Sequence, residues 1–159
     1  MDAVLRRAGI STATLYRGFD SKEGLVAAAL ERRQRAWIEV RDAAIARSRT
    51  DEERVLAVFD ALDEFRARPT GSRWCAFLGA AAEYADAPPE IAAAVQADTD
   101  AFRTRLSALV APLVDDPDAL ADQLLLVITG DLAMRLRRPT HPTSTARAIA
   151  SALLAQASR

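Results

Sequence analysis

The sequence predicts an all-α protein, and three observations lead to this fold class. Alanine, the strongest helix former, supplies 35 of the 159 residues, whereas glycine supplies only 6. Apolar residues recur at spacings of three and four, as they do on one face of a helix. No run of alternating apolar and polar residues lies between hairpin turns, so we expect no sheet.

The first 25 residues carry the signals of two short helices and the start of a long one. Gly9 suits the left-handed residue that ends a first helix over residues 2–8. Ser11 and Ser21 are placed to cap the next two helices with their hydroxyl groups. Two helices joined by a short turn that contains glycine form a helix-turn-helix, whose second helix enters the DNA major groove.

This stretch resembles the DNA-binding head of the TetR family of bacterial transcriptional regulators. That family carries a pattern close to A-G-[VI]-S-x-x-T-[LF]-Y-x-x-F-x-[SN]-K-x-x-L. The matching positions are Ala8, Gly9, Ile10, Ser11, Thr14, Leu15, Tyr16, Phe19, Ser21, Lys22 and Leu25. The resemblance implies a homodimeric regulator that binds a palindromic double-stranded DNA operator. We expect it to be a repressor that a small-molecule effector releases.

The candidate DNA-binding residues are Ser11, Thr12, Thr14, Tyr16, Arg17 and Lys22. The short side chains at the start of the second helix allow close approach to base edges, and threonine can hydrogen-bond to a base or contact a thymine methyl group. Phenol, guanidinium and ammonium groups suit phosphate oxygens. The resemblance assigns Tyr16 and Lys22 to phosphates, and Thr12, Thr14 and Arg17 to bases or nearby sugars. A half-buried Tyr16 and a solvated Arg17 are the alternatives.

The start of the chain departs from the family pattern. Family members place a further helix before the turn, whereas Met1 lies inside what corresponds to the second helix. Without that helix we expect Val4, Leu5, Ile10 and Leu15 to be exposed. Two interpretations follow: a start internal to a longer product, or a truncated regulator. In the second case the head is weakened. The alternative function is a ligand-binding or dimerising protein with a truncated head that has lost specific DNA binding.

Charge divides the chain in the same place. Residues 1–49 carry 10 basic and 6 acidic side chains, whereas residues 50–159 carry 11 basic and 16 acidic ones. A basic first third suits a nucleic-acid-binding head on a body that binds something else. We therefore predict a partial helix-turn-helix head at 1–30 and a helical effector-binding and dimerisation domain at 31–159.

The composition gives little support to several other function classes. Cys75 and His141 are the single cysteine and the single histidine, so we expect no disulfide, metal site or cofactor. No catalytic constellation is recognisable, and we expect no enzyme activity. The longest purely apolar run, residues 124–128, is too short to span a bilayer. A cytoplasmic protein without membrane contact is expected.

Six helices are expected in the body. The first continues from Ser21 to about Arg47 with Leu25, Ala28, Ala29, Arg32, Ala36 and Val40 among its inward positions, and the second runs from Thr50 or Asp51 to Pro69. Helices over residues 73–85 and 90–110 follow. The last two are expected at about 117–136 and 144–156. In TetR proteins this closing pair forms the dimer interface; the alternative is that it completes the monomer core.

The helix over residues 73–85 contains the second segment of resemblance. Residues 74–83 resemble the G-C-x-x-x-x-A-x-x-E segment of a TetR subgroup, with Trp74 where glycine is common. In that subgroup the helix lines the effector cavity, and pockets for small molecules are mostly apolar with a few polar groups. The candidate pocket residues are Phe59, Leu62, Trp74, Phe77, Glu83, Tyr84 and Phe102, for an apolar or amphipathic effector. Asp98 and Asp100 are expected to face either the cavity or water. The alternative for each pocket residue is plain core.

Overall fold

The computed structural model describes residues 2–9, 11–68, 75–83 and 86–157, and all of its regular structure there is helical. The helices are α1 (Asp2–Ala8), α2 (Thr12–Gly18), α3 (Lys22–Ala46), α4 (Asp51–Ala67), α5 (Ala76–Glu83), α6 (Pro89–Val110), α7 (Pro117–Arg137) and α8 (Ser144–Ala157). The predicted all-α fold class is confirmed.

Local sequence signals explain where the helices begin. α4 starts with a capping box, in which the Thr50 hydroxyl accepts from the Glu53 N–H and the Glu53 carboxylate accepts from the Thr50 N–H. The Arg49 N–H, which donates to the Glu53 carboxylate at 2.7 Å, and the Thr50 N–H together lower the pKa of Glu53. α7 starts with Asp116 as its cap and Pro117 in its first turn. These signals act over three or four residues, so the sequence alone places these boundaries well.

The main core lies where α3, α4, α6, α7 and α8 pack together. Its fully buried side chains include Val40, Phe59, Leu106, Leu124 and Ile128, each 1% exposed or less. A smaller apolar cluster joins α3 and α5 to the start of α6, through Leu30, Phe77, Ala80 and Ile91. None of the helices in the described ranges is long and apolar enough to cross a membrane.

The inward face of α3 differs from the predicted one. Ala29 and Arg32 are exposed, whereas Ala27, Leu30 and Ala44 are buried. Seven of the 25 residues of α3 are alanines, and alanine fits either a core or a surface position, so the pattern leaves the register of the inward face ambiguous. The larger side chains determine which face packs inward.

Candidate DNA-binding surface and ligand cavity

The turn between α1 and α2 is built by residues that favour its backbone geometry. Gly9 has φ of 65°, a left-handed value that favours glycine. The Ser11 hydroxyl then caps α2 by accepting from the Thr14 N–H at 3.1 Å. Ser21 caps α3 in the same way, accepting from the Gly24 N–H at 2.9 Å. The described residues 2–9 and 11–24 therefore contain two short helices, with a third helix following directly.

The polar side chains of α2 are linked to one another at its exposed start. The Ser11 and Thr14 hydroxyl oxygens are 2.9 Å apart, and Arg17 donates to the Thr14 hydroxyl at 3.3 Å. Each hydrogen bond joins residues three apart, which places all three side chains on one face of the helix. The Thr14 hydroxyl is engaged within this chain. The methyl group of Thr14 is therefore the part of the side chain that is left for an apolar contact.

All six predicted DNA-binding residues are exposed: Ser11, Thr12, Thr14, Tyr16, Arg17 and Lys22. Tyr16 is 48% exposed, and Leu15 is the single buried residue of α2. α1 has no buried residue, and Val4 is 50% exposed. Leu15 is only 5% exposed, contrary to the exposure expected for it, whereas Ile10 lies outside the described residues. The described part of the head therefore has an exposed polar surface and very little buried apolar surface.

A cavity of about 310 Å³ lies in the body, between α3, α4, α5, α6 and α7. Three aromatic rings meet in its wall. The Trp37 ring packs edge-on against Phe65 and Phe102, with ring centroids 5.7 Å and 6.0 Å apart. Leu78, Leu125 and other aliphatic side chains complete the lining. Most of the wall is therefore apolar, as is usual for small-molecule sites.

The structure separates the predicted pocket residues into three groups. Leu62, Phe77 and Phe102 line the cavity. Phe59 is not among the described lining residues; it is 1% exposed within the main core, because α4 turns it away from the cavity. Glu83 is also absent from the described lining and is exposed at the end of α5. Trp74 and Tyr84 lie outside the described residues.

Sequence reasoning missed several lining residues. Arg33 and Trp37 lie four residues apart on α3, so they share a face of the helix, and Phe65 comes from α4. The Arg33 guanidinium lies 4.8 Å from the centre of the Phe65 ring. Arg33 belongs to a run of basic residues that indicates a solvated face. The i, i+4 spacing of Arg33 and Trp37 is the sequence signal that could have indicated a shared face of α3.

Asp98 on α6 is the acidic residue of the described cavity wall. Burial raises its pKa to about 6, and a hydrogen bond from Gln34 and the charge of Arg41 only partly oppose that effect. Burial also raises the pKa of the nearby Cys75 thiol, which therefore stays protonated at neutral pH. Burial lowers the pKa of Arg33.

A buried polar network connects the cavity to the segment before α8. Arg135 lines the cavity, lies 2.8 Å from the Asp131 carboxylate and donates to the Thr143 hydroxyl at 2.6 Å. Thr143 in turn donates to Asp63 at 2.6 Å. His141 Nε2 lies 3.5 Å from Asp131, whose side chain is fully buried. Burial raises the pKa of Asp131, and the charge of Arg135 opposes that shift.

The described residues contain no group of three or more His, Cys, Asp or Glu side chains that could hold a metal ion. The arrangement is instead a helix-turn-helix joined by one long helix to an apolar cavity. A helix-turn-helix followed by a helical body is the architecture of a DNA-binding regulator, and here the body contains an apolar cavity.

Comparison with known proteins identifies the family. A family model described as "Bacterial regulatory proteins, tetR family" matches residues 1–29. The crystal structure of a TetR-family transcriptional regulator from Streptomyces coelicolor is similar with a TM-score of 0.88 and 31% identity, over 99% of this chain and 84% of that one. The chain belongs to the TetR family of transcriptional regulators. Membership implies DNA binding and dimerisation in general terms.

Two further structures support the fold. A TetR transcriptional regulator from Chloroflexus aurantiacus J-10-FL has a TM-score of 0.77 at 24% identity, over 97% of this chain and 82% of that chain. A transcriptional regulator from Rhodococcus sp. Rha1 has a TM-score of 0.75 at 22% identity, with the same shares covered. No curated protein matches the chain.

Proposed function

We propose that this regulator is a repressor whose DNA affinity falls when a small amphipathic molecule fills the body cavity. The observation that carries the proposal is the course of α3. This helix begins at Lys22, directly after the helix-turn-helix, and contributes Arg33 and Trp37 to the cavity wall. Its 25 residues span about 37 Å at 1.5 Å per residue. A displacement at the cavity is therefore transmitted along one rigid element to the head.

Within the head, we assign the six exposed residues to two tasks. Tyr16 and Lys22 contact phosphates, since their donors stand at the end of α2 and the start of α3. Thr12, Thr14 and Arg17 contact bases or sugars, with Ser11 fixing the start of α2. The hydrogen-bonded chain from Ser11 to Arg17 holds these side chains in place before DNA arrives, which reduces the entropy lost on binding.

The ligand and DNA must act on each other equally. A ligand that binds the DNA-free form more tightly weakens DNA binding, and DNA weakens ligand binding by the same factor. Typical coupling changes affinity about 5- to 150-fold. An apolar cavity bordered by a few charged side chains suits an amphipathic effector.

We assign dimerisation to α7 and α8. Leu126 on α7 is 74% exposed and Ile149 on α8 is 47% exposed, so each of the two closing helices carries a large apolar side chain that a second copy could cover. A Cβ atom added at Gly130 would meet nothing within 4 Å, so this part of α7 is open to a close approach. The same surface on a second copy would cover these residues by two-fold symmetry.

Analytical ultracentrifugation tests the interface. Leu126→Asp is expected to shift the protein from dimer to monomer, because it places a charge in an apolar contact. Ala92→Asp, at an exposed position on α6, is the matched control and is expected to leave the dimer intact. A Leu126→Asp protein that remains dimeric at low micromolar concentration would contradict this assignment.

Fluorescence anisotropy tests DNA binding, with duplexes from the DNA that flanks the gene and at two salt concentrations. Lys22→Glu is expected to weaken binding to every duplex and to flatten the salt dependence, because it removes a phosphate contact. Arg54→Glu carries the same charge change on α4, which begins at the end of α3 remote from the head. It is expected to leave the affinity unchanged. Equal effects of both variants would contradict the phosphate assignment.

The packing of the head favours a second candidate function. Because α1 has no buried residue and α2 has only Leu15, the described head has little apolar support of its own. A ligand-binding protein that dimerises with a relative and blocks its DNA binding is the alternative. Wild-type protein that binds no duplex, yet weakens DNA binding by a longer relative when the two are mixed, would favour this alternative.

A further inference from the structure

The charged side chains of the cavity wall differ in which protein groups lie beside them. Arg66 lies 3.5 Å from the Asp63 carboxylate, and Arg135 lies between Asp63 and Asp131. Arg33 packs over the face of Phe65. These cationic side chains therefore already have protein groups beside them, and the acids next to Arg66 and Arg135 would compete with an acidic ligand for those two.

Asp98 lacks such compensation. None of the ion pairs that join described residues includes it. Its hydrogen bond comes from the neutral amide of Gln34, and the arginine whose charge acts on it, Arg41, is paired with Asp42 at 3.1 Å. A carboxylate in an apolar wall without an opposite charge costs free energy, which a ligand cation would recover.

The aromatic residues near Asp98 favour the same sign of charge. The ring of Phe102, which lies one helical turn beyond Asp98 on α6, has the Arg41 guanidinium 5.9 Å from its centre. Phe65 holds Arg33 in the same manner. Aromatic faces attract cations through their quadrupole. Tryptophan, here Trp37, gives a stronger interaction of this kind than tyrosine or phenylalanine. The cavity therefore offers a carboxylate in a wall where two aromatic rings already lie beside positive charge.

We propose that the effector is an amphipathic cation, whose ammonium group pairs with Asp98 while its apolar part fills the space beside Trp37, Phe77 and Phe102. This inference rests on the proposed function, in which the cavity is the effector site. The volume of about 310 Å³ lies at the lower end of the range of small-molecule pockets, about 300 to 1,000 Å³, which suits a small ligand. A phenylalkylamine has this size and charge.

The test uses three probes of nearly equal shape: 4-phenylbutylamine, 4-phenylbutan-1-ol and 4-phenylbutyrate. Isothermal titration calorimetry at pH 7.5 measures the affinity of each. Fluorescence of a Trp74→Phe variant, in which Trp37 is the remaining tryptophan, shows whether binding occurs in the cavity. The amine is expected to bind at least tenfold more tightly than the alcohol, and the carboxylate more weakly than the alcohol.

Two variants assign the preference to one residue. Asp98→Asn is expected to reduce amine affinity about tenfold, to the level of the alcohol, and to relieve the disfavour of the carboxylate. Asp100→Asn removes the same charge from an exposed position on the same helix, and is expected to change nothing. Lowering the pH from 7.5 to 5 should weaken amine binding to wild type but not to Asp98→Asn. Arg33 and Arg41 on α3 contribute positive charge near Asp98, and burial raises the pKa of the Cys75 thiol, just before α5, so that it stays protonated over this range.

The outcomes separate the two proposals. Alcohol binding that quenches Trp37, with no preference for the amine or with a preference that survives Asp98→Asn, overturns the cation inference and leaves the cavity as a ligand site. Tightest binding of the carboxylate also overturns the cation inference. Failure of all three probes to quench Trp37 counts against the cavity as a ligand site, and the cation inference fails with it.

Discussion

The head and the cavity differ in how their functional side chains are held. In the head, Ser11, Thr14 and Arg17 are joined by hydrogen bonds between residues three apart, and all three are exposed. In the cavity, neighbouring side chains come from helices far apart in the chain, such as Trp37 of α3, Phe65 of α4 and Phe102 of α6. Local geometry therefore shapes the first site, and tertiary packing shapes the second.

This difference determines whether a substitution changes binding alone or binding together with stability. Side chains that are exposed and locally bonded contribute little to the free energy of unfolding, so the head can be changed at low cost to the fold. Side chains of the cavity wall and the adjoining core are packed on several sides, so changes there affect stability together with the ligand binding that we propose. Substitutions in the core and cavity wall should therefore change stability more than substitutions in the head. Four substitutions test this, from the largest expected change in stability to the smallest.

Phe59→Ala is expected to lower the free energy of unfolding by about 3 to 5 kcal/mol, because it opens a new void in a fully packed core. Phe102→Ala is the matched comparison, since its ring already borders a cavity and has fewer atoms to lose contact with. Urea unfolding of both variants measures the difference. Equal losses would mean that Phe59, too, belongs to a loosely packed wall.

Arg135→Met is expected to cost about 3 kcal/mol, because it retains the apolar stem but leaves the fully buried Asp131 carboxylate without its closest cation. The double variant Arg135→Met with Asp131→Leu is expected to recover most of that loss, since neither charge then remains buried. Urea unfolding of both proteins at pH 7.5 makes the comparison. A double variant no more stable than the single one would argue against the charge explanation.

Asp98→Asn is expected to raise the free energy of unfolding by about 1 to 2 kcal/mol at pH 7.5, less than the full pKa difference would give because the side chain is partly exposed. The folded-state pKa of about 6 lies above the ordinary 3.8, so the folded chain holds this proton more tightly than the unfolded chain. The ionised form therefore penalises folding above pH 6, and the penalty disappears as the pH falls towards 4. Unfolding of both proteins from pH 4 to 8 checks this; a constant difference across that range would contradict the ionisation account.

Thr14→Ala is expected to change stability least and site preference most. Thr14 is exposed, and its hydroxyl bonds only to Ser11 and Arg17 among the described residues, so global unfolding should shift by less than about 0.5 kcal/mol. Its methyl group can contact thymine, so discrimination between duplexes should change. Anisotropy against a panel of single-base variants of one duplex measures this. A uniform loss on all duplexes would point to a phosphate or structural role instead.

The same division explains what the sequence could predict. The turn at Gly9, the caps at Ser11 and Ser21 and most helix boundaries depend on residues a few positions apart, so a single sequence reveals them. The exposure of Tyr16 and Lys22 follows once those helices are placed. The buried state of Leu15 does not, because it depends on packing that local spacing does not specify.

The cavity shows the limit of local reasoning. Leu62, Phe77 and Phe102 were predicted by periodicity and resemblance, and they do line it. Phe59 has the same apolar spacing on α4 as Leu62, and only the position of α4 against its neighbours distinguishes the core side from the cavity side. The acidic residue in the described wall is Asp98 rather than Glu83. Whether Asp98 faces the cavity or water depends on the axial rotation of α6, which local spacing does not specify.

The most direct test of the account measures DNA affinity with the cavity empty and filled. Anisotropy of a labelled duplex is recorded with and without saturating 4-phenylbutylamine, with Trp37 quenching as the measure of occupancy. The account predicts DNA binding at least fivefold weaker in the filled state, and ligand binding weakened by the same factor when DNA is in excess. Unchanged DNA affinity at full Trp37 quenching would contradict it.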